Sequence, residues 1–363
     1  MLIELSGNLR LIIAIILSPL ISILIYKPLY SIATKKGLFK AVNGRSSHNG
    51  NIPDFGGVIL FASIFITSLL LIQFPHPEMQ YVLLAFALIW AIGLFDDLMV
   101  MPAKKKLAAE VIVSLIIVVG GGLYFTNFHG LLGIYEIPKV TGMLFTLFMM
   151  VGIINAINMI DGIDGLCSGI AIISISAFSF WFFKNGYINY SIIGFTSVAS
   201  LIPFFIRNVF SVERKIFLGD NGSMLLGVII SVLAIKFCEL ETITNRWMHT
   251  ENSPAVAFTI IAIPVLDTVR IILVRIYQRK SPLYADKSHI HHRMLILLNN
   301  SHKKSTFILL MLHLSFIIMA MFCTRLTNEE LIIITITAFS TIYGLLYLNA
   351  KKVLKNIPLI FDK

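Results

Sequence analysis

Four short stretches place carboxylates, amides and imidazoles where they could handle phosphate groups. The longest is NAINMIDGIDGLCSG, in which Asn155, Asn158, Asp161 and Asp164 recur every three residues. Three residues is close to one helical turn, so neighbouring members can share a face. Gly162 and Gly165 follow the two aspartates and let a partner approach the backbone. Asp96 and Asp97 stand side by side in GLFDDLMVMPAKKKL, with Lys106 ten residues beyond Asp96. Adjacent carboxylates repel and call for a cation or a shared proton. In FLGDNGSMLLG, Asp220 lies between Gly219 and Asn221, and Ser223 opens an apolar run. Exposed N–H groups at such a helix start make a phosphate seat, and Asp220 beside it suits a magnesium that bridges phosphates. Finally, DKSHIHHRM gathers His289, His291, His292 and Arg293. The HxHH spacing is not that of a zinc-binding helix face, and no Cys or Glu completes a set. A cationic clamp for phosphates fits those residue types better.

Each stretch also has a plain structural reading. Asn and Asp cap helices and form turns, DD before KKK can flank a stop-transfer segment, and Ser223 can be an ordinary N-cap. Capping accounts for one aspartate in NAINMIDGIDG but poorly for two asparagines and two aspartates together. Asp267 and Arg270, three apart in IPVLDTVRIILV, read as an internal ion pair. GRSSHNGNIPDFGGV, with Arg45 and His48, is by itself only a basic loop with a turn.

These residues sit in a very apolar chain. Of 363 residues 57% are hydrophobic and 13% charged, against about 25% charged in a soluble domain. Mean hydropathy is +0.87. The composition predicts an all-α integral membrane protein, a single polytopic domain over residues 1–363. Runs of membrane-spanning length fall near 9–30, 55–73, 80–95, 107–125, 140–157, 165–183, 189–206, 223–243, 254–275, 306–323 and 331–349, which predicts eleven transmembrane helices. The first run lacks a basic lead and a small-residue cleavage site, so it reads as a retained helix. Lys and Arg crowd alternate loops, which predicts an N-terminus outside and a C-terminus in the cytoplasm. All nine aspartates then fall on or near the inner side, where short carboxylates suit a hard cation. The net charge of +10 is that of basic inner loops and needs no nucleic acid. Cys167, Cys238 and Cys323 form no CxxC pair, so neither a disulfide framework nor a zinc site is expected.

DD followed by a lysine, NxxNxxDGxDGL, GDxGS and a His-rich inner loop, in this order and over nearly the whole length, resemble the polyprenyl-phosphate N-acetylhexosamine-1-phosphate transferase family. HIHHR and the eleventh run are similar to the branch that starts O-antigen, teichoic-acid and related glycans. The peptidoglycan-precursor branch, phospho-MurNAc-pentapeptide transferase, usually carries three consecutive histidines. Asp54-Phe55 stands where many relatives have an Arg before the glycines. The resemblance implies a bacterial cytoplasmic-membrane enzyme with its active site on the cytoplasmic face. It would move a HexNAc-1-phosphate, GlcNAc-1-phosphate above others, from a UDP-sugar to undecaprenyl phosphate with Mg2+ or Mn2+. By that resemblance Asp220 with Asp96 and Asp161 would hold the metal. Asp97 would act as base on the lipid phosphate, and Asp164 would complete the catalytic acids. Arg45, His48, Lys106, Asn155, Asn158, Asp161, Ser223, His289, His291, His292 and Arg293 would contact substrate. The competing reading from another class is a transporter of a phosphorylated solute, which should carry its charges at mid-membrane rather than at one surface. The oligomeric state is open between monomer and homodimer.

Overall fold

The computed structural model describes residues 6–36, 52–73, 76–211, 214–240, 252–281, 288–323 and 325–356. Among them the chain is helical with no named β-strand. Backbone N–H and C=O groups have no water to bond to inside a bilayer, so an apolar chain must satisfy them within each segment. The helices are α1 (Gly7–Lys36), α2 (Gly56–Leu71), α3 (Pro77–Met99), α4 (Ala103–Leu115), α5 (Lys139–Met159), α6 (Leu166–Lys184) and α7 (Ile188–Phe210). They continue with α8 (Gly219–Leu240), α9 (Ser253–Ile260), α10 (Ala262–Tyr277), α11 (Ile290–Leu297), α12 (His302–Phe322) and α13 (Asn328–Asn356). A π-helical turn, Ile116–Gly120, extends α4.

Each of the eleven apolar runs coincides with helix over most of its described length. Among the described residues eight helices are long and apolar enough to cross a membrane, or nine if α9 and α10 form one span bent by 79°. α2 has 16 residues, about 24 Å of helix at 1.5 Å per residue, less than the ~30 Å of a hydrocarbon core. α4 begins with three lysines and contains Glu110, which dilutes its apolar character.

α8 is the central element. Its sequence from Met224 to Ile235 is apolar on every side apart from Ser231, which bonds to the Gly227 carbonyl inside the helix. A helix without a polar face must be surrounded, and α2, α3, α5, α6 and α9 pack around it. Glycines let the backbones come close. A Cβ on Gly227 would lie 2.7 Å from Ile154 Cα of α5. One on Gly57 or Gly93 would overlap Asn221, in the first turn of α8. The segment before α2 is stitched to the same turn: Gly56 N donates to the Phe217 carbonyl at 2.8 Å, Gly57 N to that of Leu218 at 2.9 Å, and Phe217 N to that of Pro53 at 2.9 Å.

The sequence motifs sit at the C-terminal ends of α3 and α5 and the N-terminal ends of α4, α6, α8 and α11, with Asp267 and Arg270 midway along α10. Because consecutive long helices run antiparallel, those termini meet at one end of the bundle. At the opposite end Lys236 of α8 pairs with Glu78 of α3 at 2.9 Å, and Glu239 accepts from Thr126 N and Oγ1.

Gly93→Val tests the packing at α8. Its Cβ meets backbone atoms of Asn221 and Asp220, which cannot rotate aside. The expected cost is about 1–3 kcal/mol, read as a lower unfolding temperature in detergent. A protein of unaltered thermal stability would contradict the close approach.

Candidate active site

The first turn of α8 gathers the acids. Gly219 has φ +77°, and a Cβ there would lie 2.7 Å from Asp97 Oδ2 and 2.8 Å from Asp54 Oδ1. Glycine is therefore required on both conformational and steric grounds. Asp97, near the end of α3, reaches the first turn of α8. Its Oδ1 accepts from Asp220 N at 2.8 Å, and its Oδ2 accepts from Asn221 N at 3.0 Å and Asn221 Nδ2 at 2.7 Å. A carboxylate on the free amides of a helix start satisfies donors that would otherwise be orphaned and meets the positive end of the helix dipole. Asp97 thus holds the turn that presents Asp220.

Lys106 stands between the other two acids. Its Nζ is 3.0 Å from Asp96 Oδ2 and 3.2 Å from Asp220 Oδ2. Burial works to lower this ammonium, and the Asp220 and Asp96 carboxylates outweigh it, holding its pKa above the ordinary lysine value. It is fully charged at neutral pH. Asp96 Oδ1 also accepts from Met101 N, where the chain turns through Val100 at φ 45°. Asn158 completes the group: its amide oxygen faces Lys106 Nζ at 2.9 Å, and its nitrogen faces Asp220 Oδ1 at 2.9 Å and Ser223 Oγ at 2.7 Å. Lys106, Asn158, Ser223, Asp96, Asp97 and Asp220 are therefore one connected network. Asn155, one turn deeper, donates instead to Glu110 of α4 and to the Val151 carbonyl.

Asp164 anchors a second group. Its Oδ2 is 2.5 Å from Lys215 Nζ and 3.4 Å from His302 Nδ1. Its carbonyl accepts from Thr306 Oγ1 at 2.6 Å. Next to it, Gly165 N donates to Asn208 Oδ1 at 2.6 Å, and Asn208 Nδ2 donates to the Ile216 carbonyl at 2.8 Å. The turn after α5 is thereby tied to α7, α12 and the segment leading into α8. Asp161, in the same turn, is exposed.

The histidines form the third group. Asp267 of α10 is 1% exposed and does more than pair with Arg270 (2.8 Å). Its Oδ2 meets His289 Nδ1 at 2.8 Å, and Ile290 N donates to its Oδ1 at 3.1 Å. One carboxylate thus seats the start of α11. His291 stacks on His289 with ring centroids 5.5 Å apart, and packs on Gly162, where a Cβ would overlap its Nε2. Burial, with His292 and His289 nearby, holds His291 well below the usual histidine pKa. His291 is thus a buried ring seated on the DGIDG turn. His292 lies 4.3 Å from the His291 ring centroid.

Arg45 and His48 lie outside the described residues. The remaining motif residues meet at one end of the bundle. Lys215, His302, Glu110 and the tie through Asp267 were not singled out as site residues by motif spacing. Each pairs with a motif residue more than twenty positions away and carries no local signature.

No group of three or more His, Cys, Asp or Glu among the described residues is arranged to hold a metal ion. Asp96 and Asp220, brought together by one lysine with the Asn158 amide oxygen beside them, are hard oxygen donors in a partial set. That suits Mg2+, which is commonly held by one or two carboxylates while substrate phosphates and water fill the other positions.

Residues 79–238 match the model of glycosyl transferase family 4. Similar proteins include three named undecaprenyl-phosphate alpha-N-acetylglucosaminyl 1-phosphate transferase. That of Haemophilus influenzae is 32% identical over 286 residues, covering 77% of this chain and 76% of its own. That of Yersinia pestis is 30% identical over 264 residues, covering 72% and 70%. That of Escherichia coli O157:H7 is 29% identical over 282 residues, covering 75% and 74%.

Gly162→Ala should displace His291 without touching the carboxylate network. A displacement of about 1 Å at a substrate-holding group can cost as much as ~100-fold in rate. A fall of about 10-fold or more in turnover, with the folded yield retained, is expected. Unchanged turnover would show that the seat of His291 does not matter.

Proposed function

This chain belongs to glycosyl transferase family 4, and from that membership we propose that it transfers GlcNAc-1-phosphate from UDP-GlcNAc to undecaprenyl phosphate. An oxygen of the lipid phosphate bonds to the sugar-bearing phosphorus, and UMP leaves with the bridging oxygen. The observation that carries this reading is the Lys106–Asp96–Asp220–Asn158 network, standing at the end of a bundle of membrane-length helices. The acids lie at helix termini, where a water-soluble nucleotide sugar and a membrane-bound phosphate can both arrive. A carrier would set them at mid-membrane instead.

The reaction joins two anions, so its barrier is largely one of charge and alignment. Mg2+, held by Asp96 and Asp220, would supply Lewis-acid polarisation of the pyrophosphate. Lys106 keeps those two carboxylates together and adds a permanent positive charge beside them. Asn158 holds the Asp220 carboxylate, and Ser223 holds Asn158. Asp97 holds the α8 turn on which Asp220 stands. A phosphate monoester has a second pKa near 6, so most of the lipid phosphate is already a dianion at neutral pH. Deprotonation is then a minor demand, which agrees with Asp97 serving position first.

Asp164, Asp161 and the turn they occupy are proposed to receive the nucleotide, with Lys215 and His302 orienting Asp164. Arg293 and His292 are proposed to face its phosphates. The exposed apolar residues Phe95, Leu98 and Met99 at the end of α3 are suited to lie against the prenyl chain beside its phosphate. On the predicted orientation all of these face the cytoplasm.

Asp220→Ala, purified in detergent with UDP-GlcNAc, undecaprenyl phosphate and Mg2+, should release UMP at least ~100-fold more slowly. Chelation by EDTA should abolish release by the unsubstituted protein, and added Mg2+ should restore it. Near-normal turnover of Asp220→Ala would overturn the mechanism. A panel of UDP-HexNAc donors reads the sugar, and product from a donor other than UDP-GlcNAc would replace that part of the proposal.

A further inference from the structure

α13 is the least buried of the long helices, with only 17% of its apolar window inside the protein. It nevertheless packs against α9, α10 and α11. Where it reaches the active-site end it carries three aromatic residues at i, i+4 and i+8: Phe339, Tyr343 and Tyr347. That spacing puts them on one face. The rings are nearly parallel in succession, 14° and 24° apart in plane, with centroids 6.4 Å from one to the next. Two guanidinium groups rest on this ladder. Arg270 Cζ is 4.1 Å from the centre of the Tyr343 ring, and Arg293 Cζ is 5.3 Å from that of Tyr347. Both fall within the roughly 6 Å over which a cation is held by a ring face.

These are the arginines of the histidine segment. Arg270 donates to Asp267 Oδ1 and to the Ser288 carbonyl, both at 2.8 Å, and so binds the chain just before His289. Arg293 closes the same segment on α11. The Nε–H of each donates to no described protein group. Both Nε atoms are buried, and a ring face holds a guanidinium without using its N–H donors.

We propose that Tyr343 and Tyr347 are positioning residues for the transfer reaction, holding Arg270 and Arg293 by their ring faces so that Arg293 is aimed at the phosphates of the nucleotide sugar. The inference rests on the transfer reading above. It assigns the ladder of α13 a part in binding the donor, through Arg293, and none in the chemical step.

The test is a kinetic cycle on UMP release with UDP-GlcNAc varied. Tyr347→Leu should raise KM for UDP-GlcNAc by about 3- to 30-fold, the range of one cation–π contact, with kcat within about 3-fold. Tyr347→Phe, which keeps the ring and loses only the hydroxyl, should return KM to within about 2-fold of the unsubstituted protein. In an Arg293→Ala background Tyr347→Leu should add less than about 2-fold, because its partner is gone. Tyr347→Leu kinetics like those of the unsubstituted protein would overturn the proposal. So would a Tyr347→Phe variant as impaired as Tyr347→Leu, or losses that multiply in the double variant. If Tyr347→Leu does not fold, Tyr347→Gln takes its place at this 39% exposed position. If the unsubstituted protein releases no UMP, the transfer reading fails instead. The same cycle is then read as affinity for UDP by calorimetry, with the same pattern expected and the same patterns fatal.

Discussion

The constraint from which the rest follows is repulsion among carboxylates held in a confined place. Asp54 and Asp97 flank Gly219, and Asp96 and Asp220 share one lysine. Left alone, four acids at the rim of an apolar bundle would force protonation or unfolding. Two devices offset this. Lys106 supplies a full charge to one pair, and the first amides of α8 supply partial charges to Asp97. Both come from elements that would hold their shape without the acids: the start of α4 and the start of the most enclosed helix in the protein. The site is organised by helix ends because a helix end is where an apolar segment offers unpaired donors.

This explains why the packing around α8 is so close. The donors of its first turn are useful only if Asp97 of α3 and the segment ending at Gly57 can reach them. Gly57 and Gly93 remove the side chains that would keep those backbones away. Ile154 of α5 approaches Gly227 two turns further on, which sets the rotation of α5 and brings Asn158 over Ser223 and Asp220. A change in the interior of the bundle would therefore be felt as a misplaced carboxylate at its rim.

Much of this was legible in the sequence, and what was not has a common cause. The residues of NAINMIDGIDG and GDNGS announce themselves because polar residues at helical spacing are costly within apolar runs. Their partners do not. Lys215 reads as one more basic residue in a loop and His302 as the first residue of a helix, yet both meet Asp164. Asp267 and Arg270 read as a self-contained ion pair because they are three apart; only the fold shows His289 and Ile290 N arriving on the same carboxylate. His291 reads as one more polar residue of its motif, and only the fold shows it buried on Gly162, where its pKa is held well below the usual histidine value. The eleven helical segments were readable from hydropathy. The short α2 and the bend between α9 and α10 were not, since hydropathy measures apolar length and not where a helix stops.

The three groups of side chains differ in how they are held, and under the proposed function the difference follows the two substrates. Around Lys106, Asp97 and Asp96 accept from backbone amides, those of α8 and of Met101, on closely packed helices, while Lys106 and Asn158 hold Asp220. The histidine segment is held by side chains, Asp267 and Arg270 at its start and a ring of α13 at its end. Backbone-anchored groups can be kept to a few tenths of an ångström, as an in-line displacement between two phosphates requires. Side-chain anchors yield more, because rotamers change on fast timescales where packed helices do not. Under the proposed function a soluble nucleotide sugar would enter and its nucleotide leave on every turnover, whereas Mg2+ and the reacting phosphates would be held still. Rigid acids under a clamp of looser cations meet both demands, and the sparsely buried α13 tolerates that looseness because little else depends on it.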